Sequence, residues 1–176
     1  MVSICFTGHR PNKLGGYDWS SSKNQRIISA LRDKIYETAK GDRIHFICGG
    51  ALGIDQMAFD ICKKFRDEIP NTTIEVAIPF AEQSCKWIPA SISKYESQKS
   101  QADKCTFVDK LGKYKIPGYT EDIYYPAKMQ KRNEYMVDNS DIVIAVWDGT
   151  SGGTGNCVRY AKKKNKTIII INPNEV

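Results

Sequence analysis

The stretch from Asp141 to Asn172 constrains the fold more than any other part of the chain. Residues 141–147, Asp-Ile-Val-Ile-Ala-Val-Trp, form a short apolar run rich in β-branched residues, as in a strand buried on both faces. Thr167 to Ile171 is another such run, and a segment of helical length, Cys157 to Lys164, lies between them. Two apolar strands joined through a helix make a βαβ unit and a parallel sheet. The connecting loop, Asp148-Gly-Thr-Ser-Gly-Gly-Thr-Gly-Asn156, carries four glycines whose backbone can approach a ligand closely for want of a Cβ. It opens into a helix, whose first N–H groups are unpaired and partly positive, a natural seat for a phosphate. The spacing fits neither the dinucleotide fingerprint nor the P-loop, and no Gly-Lys-Ser/Thr follows. A tight strand-to-helix turn would also call for glycines, so this loop alone leaves both readings open.

Two earlier strands end the same way. Val2 to Phe6 runs into Thr7-Gly8-His9-Arg10-Pro11, a glycine beside a basic pair. Ile44 to Cys48 runs into Gly49-Gly50-Ala51-Leu52-Gly53-Ile54-Asp55. In a parallel α/β sheet such loops gather at the carboxyl edge, where ligands bind. His9 and Arg10 are candidates to contact a phosphate or sugar, or else decorate a surface turn. Asp55 falls in the first turn of a helix, where the dipole stabilises a carboxylate whether or not a ligand is present. Helices are expected from Ser20 to Lys40, with Ile27, Ile28, Leu31 and Ile35 on one face, and after Ile54, with Met57, Ala58, Ile61, Cys62 and Phe65. Asn12 to Trp19 between them reads as a polar loop. A third strand, Thr72 to Ile78, delivers Gln83 and Trp87 to the same edge. Trp87 either stacks on a base or packs on the sheet. A polar helix over Ser91–Ala102 and a short strand over Cys105–Val108 follow.

Leu111 to Pro126 has no clear periodicity and holds Tyr114, Tyr119, Tyr124 and Tyr125. It is read as a functional loop that could wall a nucleotide site, or as a loop folded down by its own aromatics. The helix from Ala127 to Asn139 has Met129, Met136 and Val137 on its apolar face, with Arg132 and Asn133 on that same face. An inward guanidinium needs a carboxylate, a ligand phosphate, or both. A buried ion pair with Asp141 or Asp148 is the alternative to a ligand phosphate. Asp148, Gly152, Gly153, Thr154 and Asn156 complete the candidate ligand-binding set.

A length of 176 residues suits one domain with its own core. No apolar run is long enough to span a membrane, and Met1 to Gly8 shows neither the basic region nor the cleavage pattern of a secretory signal. Six cysteines at positions 5, 48, 62, 85, 105 and 157 form no CxxC pair, and two histidines give little support for zinc. Free thiols, no metal, no membrane and a cytoplasmic setting are therefore expected. The net charge of +6 favours anionic partners.

Taken together, the motifs resemble the YpsA-like family of the SLOG superfamily, which is named for the Smf/DprA and LOG proteins. The resemblance is carried over nearly the whole chain by Thr7-Gly-His-Arg-Pro, Pro79-Phe with Gln83 and Trp87, Arg132 to Asp141, and Asp148-Gly with Gly152-Gly-Thr. Gly49-Gly-Ala-Leu-Gly-Ile-Asp55 is similar to a DprA motif, and Met129, Arg132 and Gly152-Gly-Thr-Gly to the LOG pattern. It implies a Rossmann-like, mainly parallel sheet of about six strands with helices on both faces, and a nucleotide-derived ligand. LOG enzymes cleave nucleoside 5′-monophosphates, but where they carry Lys and the catalytic Glu this chain has Asn133 and Arg159. An Arg cannot activate water or stabilise an oxocarbenium-like state as a carboxylate does.

The function expected first is therefore binding of a phosphorylated, NAD- or ADP-ribose-like nucleotide, as sensor, carrier or sequestering protein, with no separate cofactor and in a homo-oligomer. The alternatives are a LOG-like phosphoribohydrolase using Asp55, Glu82 or Asp148, and a DprA-like binder of single-stranded DNA. The latter would draw on Lys162, Lys163, Lys164 and Lys166.

Overall fold

The computed structural model describes residues 1–176. Six strands form one all-parallel sheet: β1 (Val2–Gly8), β2 (Ile44–Cys48), β3 (Thr72–Ile78), β4 (Lys104–Phe107), β5 (Ile142–Val146) and β6 (Thr167–Ile171). Their order is β4-β3-β2-β1-β5-β6. The chain steps outward from β1 to β4, then returns to the other side of β1 to lay down β5 and β6. The expected neighbours are thus paired, with Ile4 beside Ile142 and Gly8 beside Val146, and neither β1 nor β5 is an edge strand.

Five helices cover the sheet: α1 (Ser22–Thr38), α2 (Ile54–Glu68), α3 (Pro89–Gln101), α4 (Ala127–Asp138) and α5 (Gly153–Lys163). The period-two alternation of the strands decides what each helix meets. Ile4, Phe6, Phe46, Ile74, Val76 and Ile144 point to one face, where they pack with Ile27, Leu31 and Ile35 of α1, the apolar stripe of α2 and Tyr95 of α3. Cys5, Ile47, Ala77 and Val143 point to the other, against Tyr135, Met136 and Val137 of α4 and Cys157 and Ala161 of α5. Each fully buried Ile or Phe stabilises this arrangement by roughly 1.5–3 kcal/mol before entropy is counted. α1 starts where Ser21 Oγ accepts from the Asn24 N–H.

One charged residue sits inside the second face. Glu75 of β3 is 2% exposed and accepts from Tyr135 Oη (2.5 Å) and Thr106 Oγ1 (2.6 Å). Its other oxygen lies 3.1 Å from His45 Nε2 and 3.4 Å from Lys104 Nζ. Burial pushes the carboxyl up, but the hydrogen bonds from His45, Thr106 and Tyr135 outweigh it and bring the pKa to about 2.

The irregular segment 111–126 is tied to the body. Lys128 of α4 is buried and donates to Thr120 O (2.7 Å), Ile123 O (2.9 Å) and Asp109 Oδ2 (3.1 Å). Its tyrosines turn onto one another and onto the core: Tyr114 meets Tyr135, Tyr124 meets Phe80, and Tyr119 stacks on Tyr125 at 3.7 Å. The reading of a loop folded down by its own aromatics is the one the geometry follows. No helix is long and apolar enough to cross a membrane.

Candidate functional site

Because the chain reverses direction at β1, the loops after β1 and β5 part to opposite faces of the sheet and leave a crevice between them. A cavity of about 350 Å³ opens there. One wall is Thr7, Gly8, His9 and Arg10, continued by Asn12 and Lys13. The second is Thr150 to Gly155, at the start of α5, and the third comes from Met129, Arg132 and Asn133 of α4 with Ala51 and Asp55 from the start of α2.

The glycines allow this approach. Gly152 caps α5 at φ +140°, so the loop turns into the helix in a conformation that L side chains avoid. It offers no side-chain cap, and the N–H groups of Gly153, Thr154 and Gly155 find no partner within the protein. Gly8 is required for a different reason: a Cβ there would stand 2.5 Å from the Ile54 side chain, so β1 and α2 meet only through a glycine.

The charges are arranged around Asp55. Its carboxylate is buried, 3.6 Å from Arg132 Nη1, and it accepts from the Ala51 N–H at 3.3 Å. Burial raises its pKa, while the guanidiniums of Arg132 and Arg10 pull it back only in part. Arg132 also donates to Gly49 O and to Asn133 Oδ1. So the inward guanidinium has a carboxylate partner, Asp55, in place of Asp141 or Asp148, and it lines the cavity as well. Asp141 instead accepts from the Ser3 N–H at 2.8 Å. With Arg10, Lys13 and Arg132 against one carboxylate, the lining is cationic. At the rim, Lys13 donates to Thr150 Oγ1 at 2.7 Å and joins the first wall to the second. His9 Nε2 lies 2.7 Å from Asp148 Oδ1, which also accepts from Thr150. The hydrogen bonds from Thr150, then the one from His9, hold the Asp148 carboxyl below the usual carboxylate range.

Ten of the sixteen candidate residues line the cavity: Thr7, Gly8, His9, Arg10, Asp55, Arg132, Asn133, Gly152, Gly153 and Thr154. The other six do not. Gly49 and Gly50 lie behind Arg132, and Gly50 at φ +70° packs against Tyr95. Gln83 is buried between Gly49 O and Tyr95 Oη, so it props the β2 loop from beneath. Trp87 packs edge-on against Tyr95 at 5.3 Å and does not face the cavity. Asp148 contacts His9 at the rim, and Asn156 accepts from Arg159 on the outer side of α5. The tyrosines of 111–126 do not line it either. Of the three carboxylates weighed for hydrolysis, Asp55 lines the cavity, whereas Glu82 and Asp148 do not. Asn12, Lys13, Thr150 and Ser151 are additions. Lys13 comes in because Pro11 starts a 3₁₀ turn that carries the chain back over the β1 loop, a signal present in Arg10-Pro11.

Residues 4–176 match the model of YpsA, the YspA SLOG family. The chain belongs to this family. Among curated relatives, the SPbeta prophage-derived protein YoqJ of Bacillus subtilis is 42% identical over 149 residues, 80% of this chain and 85% of that protein. A UPF0398 protein of Halalkalibacterium halodurans is 27% identical over 94% of this chain and 82% of its own length. Among solved structures, DNA processing protein A of Streptococcus pneumoniae superposes with a TM-score of 0.63 at 12% identity, over 98% of this chain and 50% of that one. The Helicobacter pylori protein, which binds single-stranded DNA, gives 0.58 at 16% identity, over 97% and 65%. The chain thus spans half to two thirds of the length of these DNA processing proteins and shares their fold.

Proposed function

We propose that the crevice between β1 and β5 binds the phosphate end of a nucleotide-derived ligand, of ADP-ribose or NAD type, and that the protein acts as its sensor, carrier or sequestering protein. The observation that carries this reading is the convergence of three cationic side chains, Arg10, Lys13 and Arg132, on a helix start whose N–H groups have no partner in the protein. Calorimetric titration with ADP-ribose, NAD and AMP tests it. Binding that weakens on Lys13→Ala supports it, and no binding of any of them at millimolar concentration would refute it.

Hydrolysis is the second reading, and Asp55 is the residue that favours it, since burial raises its pKa and it lines the cavity. Chromatography of AMP incubated with the protein separates the two readings by the appearance of free base and ribose 5-phosphate. Single-stranded DNA is the third, supported by family membership and by the fold shared with the DNA processing proteins. The lysine run weakens that reading. Lys162 and Lys163 close α5, whose first turn is at the cavity, so they lie about 15 Å away along the helix. Lys164 lies 3.6 Å from Asp138 and Lys166 donates to Ser140 O.

A further inference from the structure

His9 lines the cavity, and phosphate binding as described makes no use of it. The residue is 6% exposed, and its ring is held at one end only. Nε2 lies 2.7 Å from Asp148 Oδ1, and that same oxygen accepts from the Thr150 N–H at 3.0 Å and from Thr150 Oγ1 at 2.6 Å. Thr150 thus fixes the carboxylate, and the carboxylate fixes the ring. Nδ1 makes no hydrogen bond within the protein, and it is not sealed from solvent. In a residue otherwise buried, the cavity is where this nitrogen is reached.

The position of the ring proton follows from the partners of Nε2. The Asp148 N–H also points at that atom, from 3.2 Å, and would call for a lone pair there. The carboxylate is nearer and carries a full charge, so it takes the stronger hydrogen bond and places the proton on Nε2. In the neutral imidazole Nδ1 is then an acceptor. Its neighbours around the cavity are of the opposite kind. Arg10, Lys13, Arg132 and the first N–H groups of α5 are donors, and the Asp55 carboxylate is taken up by Arg132 and Ala51. A phosphate dianion satisfies those donors and has no proton to offer Nδ1.

We infer that His9 Nδ1 accepts a hydrogen bond from a sugar hydroxyl of the ligand, with Asp148 as the positioning residue that keeps the ring proton on Nε2. The site then recognises a hydroxyl-bearing sugar phosphate in preference to a phosphate on any other carrier. The inference rests on the phosphate-binding reading and deepens it: the donors hold the phosphate, and one ring acceptor reads the sugar. An analogue without the hydroxyl leaves Nδ1 without a partner in a site closed by the ligand, and this is the source of the discrimination.

The test is calorimetry of the full chain at about pH 8, where free imidazole is neutral. The probes are AMP, 2′-deoxy-AMP, 3′-deoxy-AMP and 2′,3′-dideoxy-AMP, repeated on His9→Phe and Asp148→Ala. AMP should bind about tenfold more tightly than 2′,3′-dideoxy-AMP, and the monodeoxy analogue that shares the loss identifies the hydroxyl. His9→Phe should bind AMP and 2′,3′-dideoxy-AMP alike. Asp148→Ala keeps the ring but leaves the backbone N–H at that position as the partner of Nε2, which moves the ring proton to Nδ1. It too should lose the preference, a change in ratio that a general loss of stability would not produce. Should His9→Phe fail to fold, the wild-type comparison and Asp148→Ala decide alone. Wild-type protein that binds AMP and 2′,3′-dideoxy-AMP alike would overturn the inference, and so would a preference that survives in either variant. Both outcomes leave the phosphate reading standing. Failure of all four nucleotides to bind would remove both.

Discussion

Arg132 Nη1 and Asp55 Oδ2 lie 3.6 Å apart, both side chains more than nine-tenths buried, with the Gly49 carbonyl as a third partner of the guanidinium. The pair joins α4 to the start of α2 across the carboxyl edge of the sheet, and it faces the cavity. A ligand phosphate would therefore meet an Arg already held in place.

It follows that Arg132→Ala costs stability as well as affinity. Removing one partner leaves the Asp55 carboxylate buried without its ion, a loss of roughly 3–5 kcal/mol. Thermal unfolding of the unliganded protein should show a large drop in melting point. An unchanged melting point would mean that Asp55 and Arg132 do not depend on each other. Lys13→Ala is the clean probe of the same cavity. Lys13 is exposed, so the melting point should stay put while affinity for a phosphorylated ligand falls about tenfold.

Two glycines should behave in opposite ways. A Cβ at Gly49 would drive into Arg132 and Asp55, so Gly49→Ala should destabilise the fold by about 2 kcal/mol or more. A Cβ at Gly153 meets nothing. Gly153→Val should keep the melting point and reduce ligand affinity by obstructing the N–H groups at the start of α5. Equal thermal damage from both substitutions would contradict this assignment.

Acid should unfold the protein partly through Glu75. Its pKa is about 2 in the folded state, below its ordinary value of 4.5. A depressed carboxylate contributes stability above its unfolded pKa, and that contribution is lost as pH falls from about 4.5 to about 2. After allowance for solvent screening, about 2 kcal/mol is at stake. Denaturant unfolding measured between pH 7 and pH 2 should show Glu75→Gln weaker at neutral pH and flatter through that window. Parallel curves for the two proteins would rule Glu75 out as the source.

The thiols should divide by burial. Cys85 and Cys105 are exposed, whereas Cys5, Cys48, Cys62 and Cys157 are buried. Burial also pushes the Cys157 thiol up to about 11, which leaves little thiolate to react. A thiol reagent should modify two cysteines quickly in the native protein and all six after denaturation. Four or more fast thiols in the native state would show that α5 and the strands beneath it open readily.

The sequence carried the sheet well because its central strands are mostly apolar runs, β5 wholly so, and because the loops after β1, β2 and β5 bear glycines. It carried Arg132 well because helical spacing alone places that guanidinium beside Met129 and Met136. Strand order was less legible. The loop after β3 was expected at the site with Gln83 and Trp87, yet β3 is separated from the crevice by β2, and its loop reaches only the underside of Gly49. The tyrosines of 111–126 were equally free to face a ligand or one another, since a phenol ring packs with either. Lys13 was hidden in a polar loop whose 3₁₀ turn depends on one proline.

The position of β1 also bears on how the chain acquires its shape during synthesis. Ile4 pairs with Phe46 on one side and with Ile142 on the other. The first partner leaves the ribosome early, the second only after most of the polypeptide has followed. Until then one flank of the central strand has no neighbour, and the walls of the crevice do not exist as a unit. Such distant pairing makes folding slow and leaves an apolar edge open to mispairing. A nascent chain stopped at Ser140 would lack β5, α5 and β6, and should be held by chaperones as an incomplete sheet.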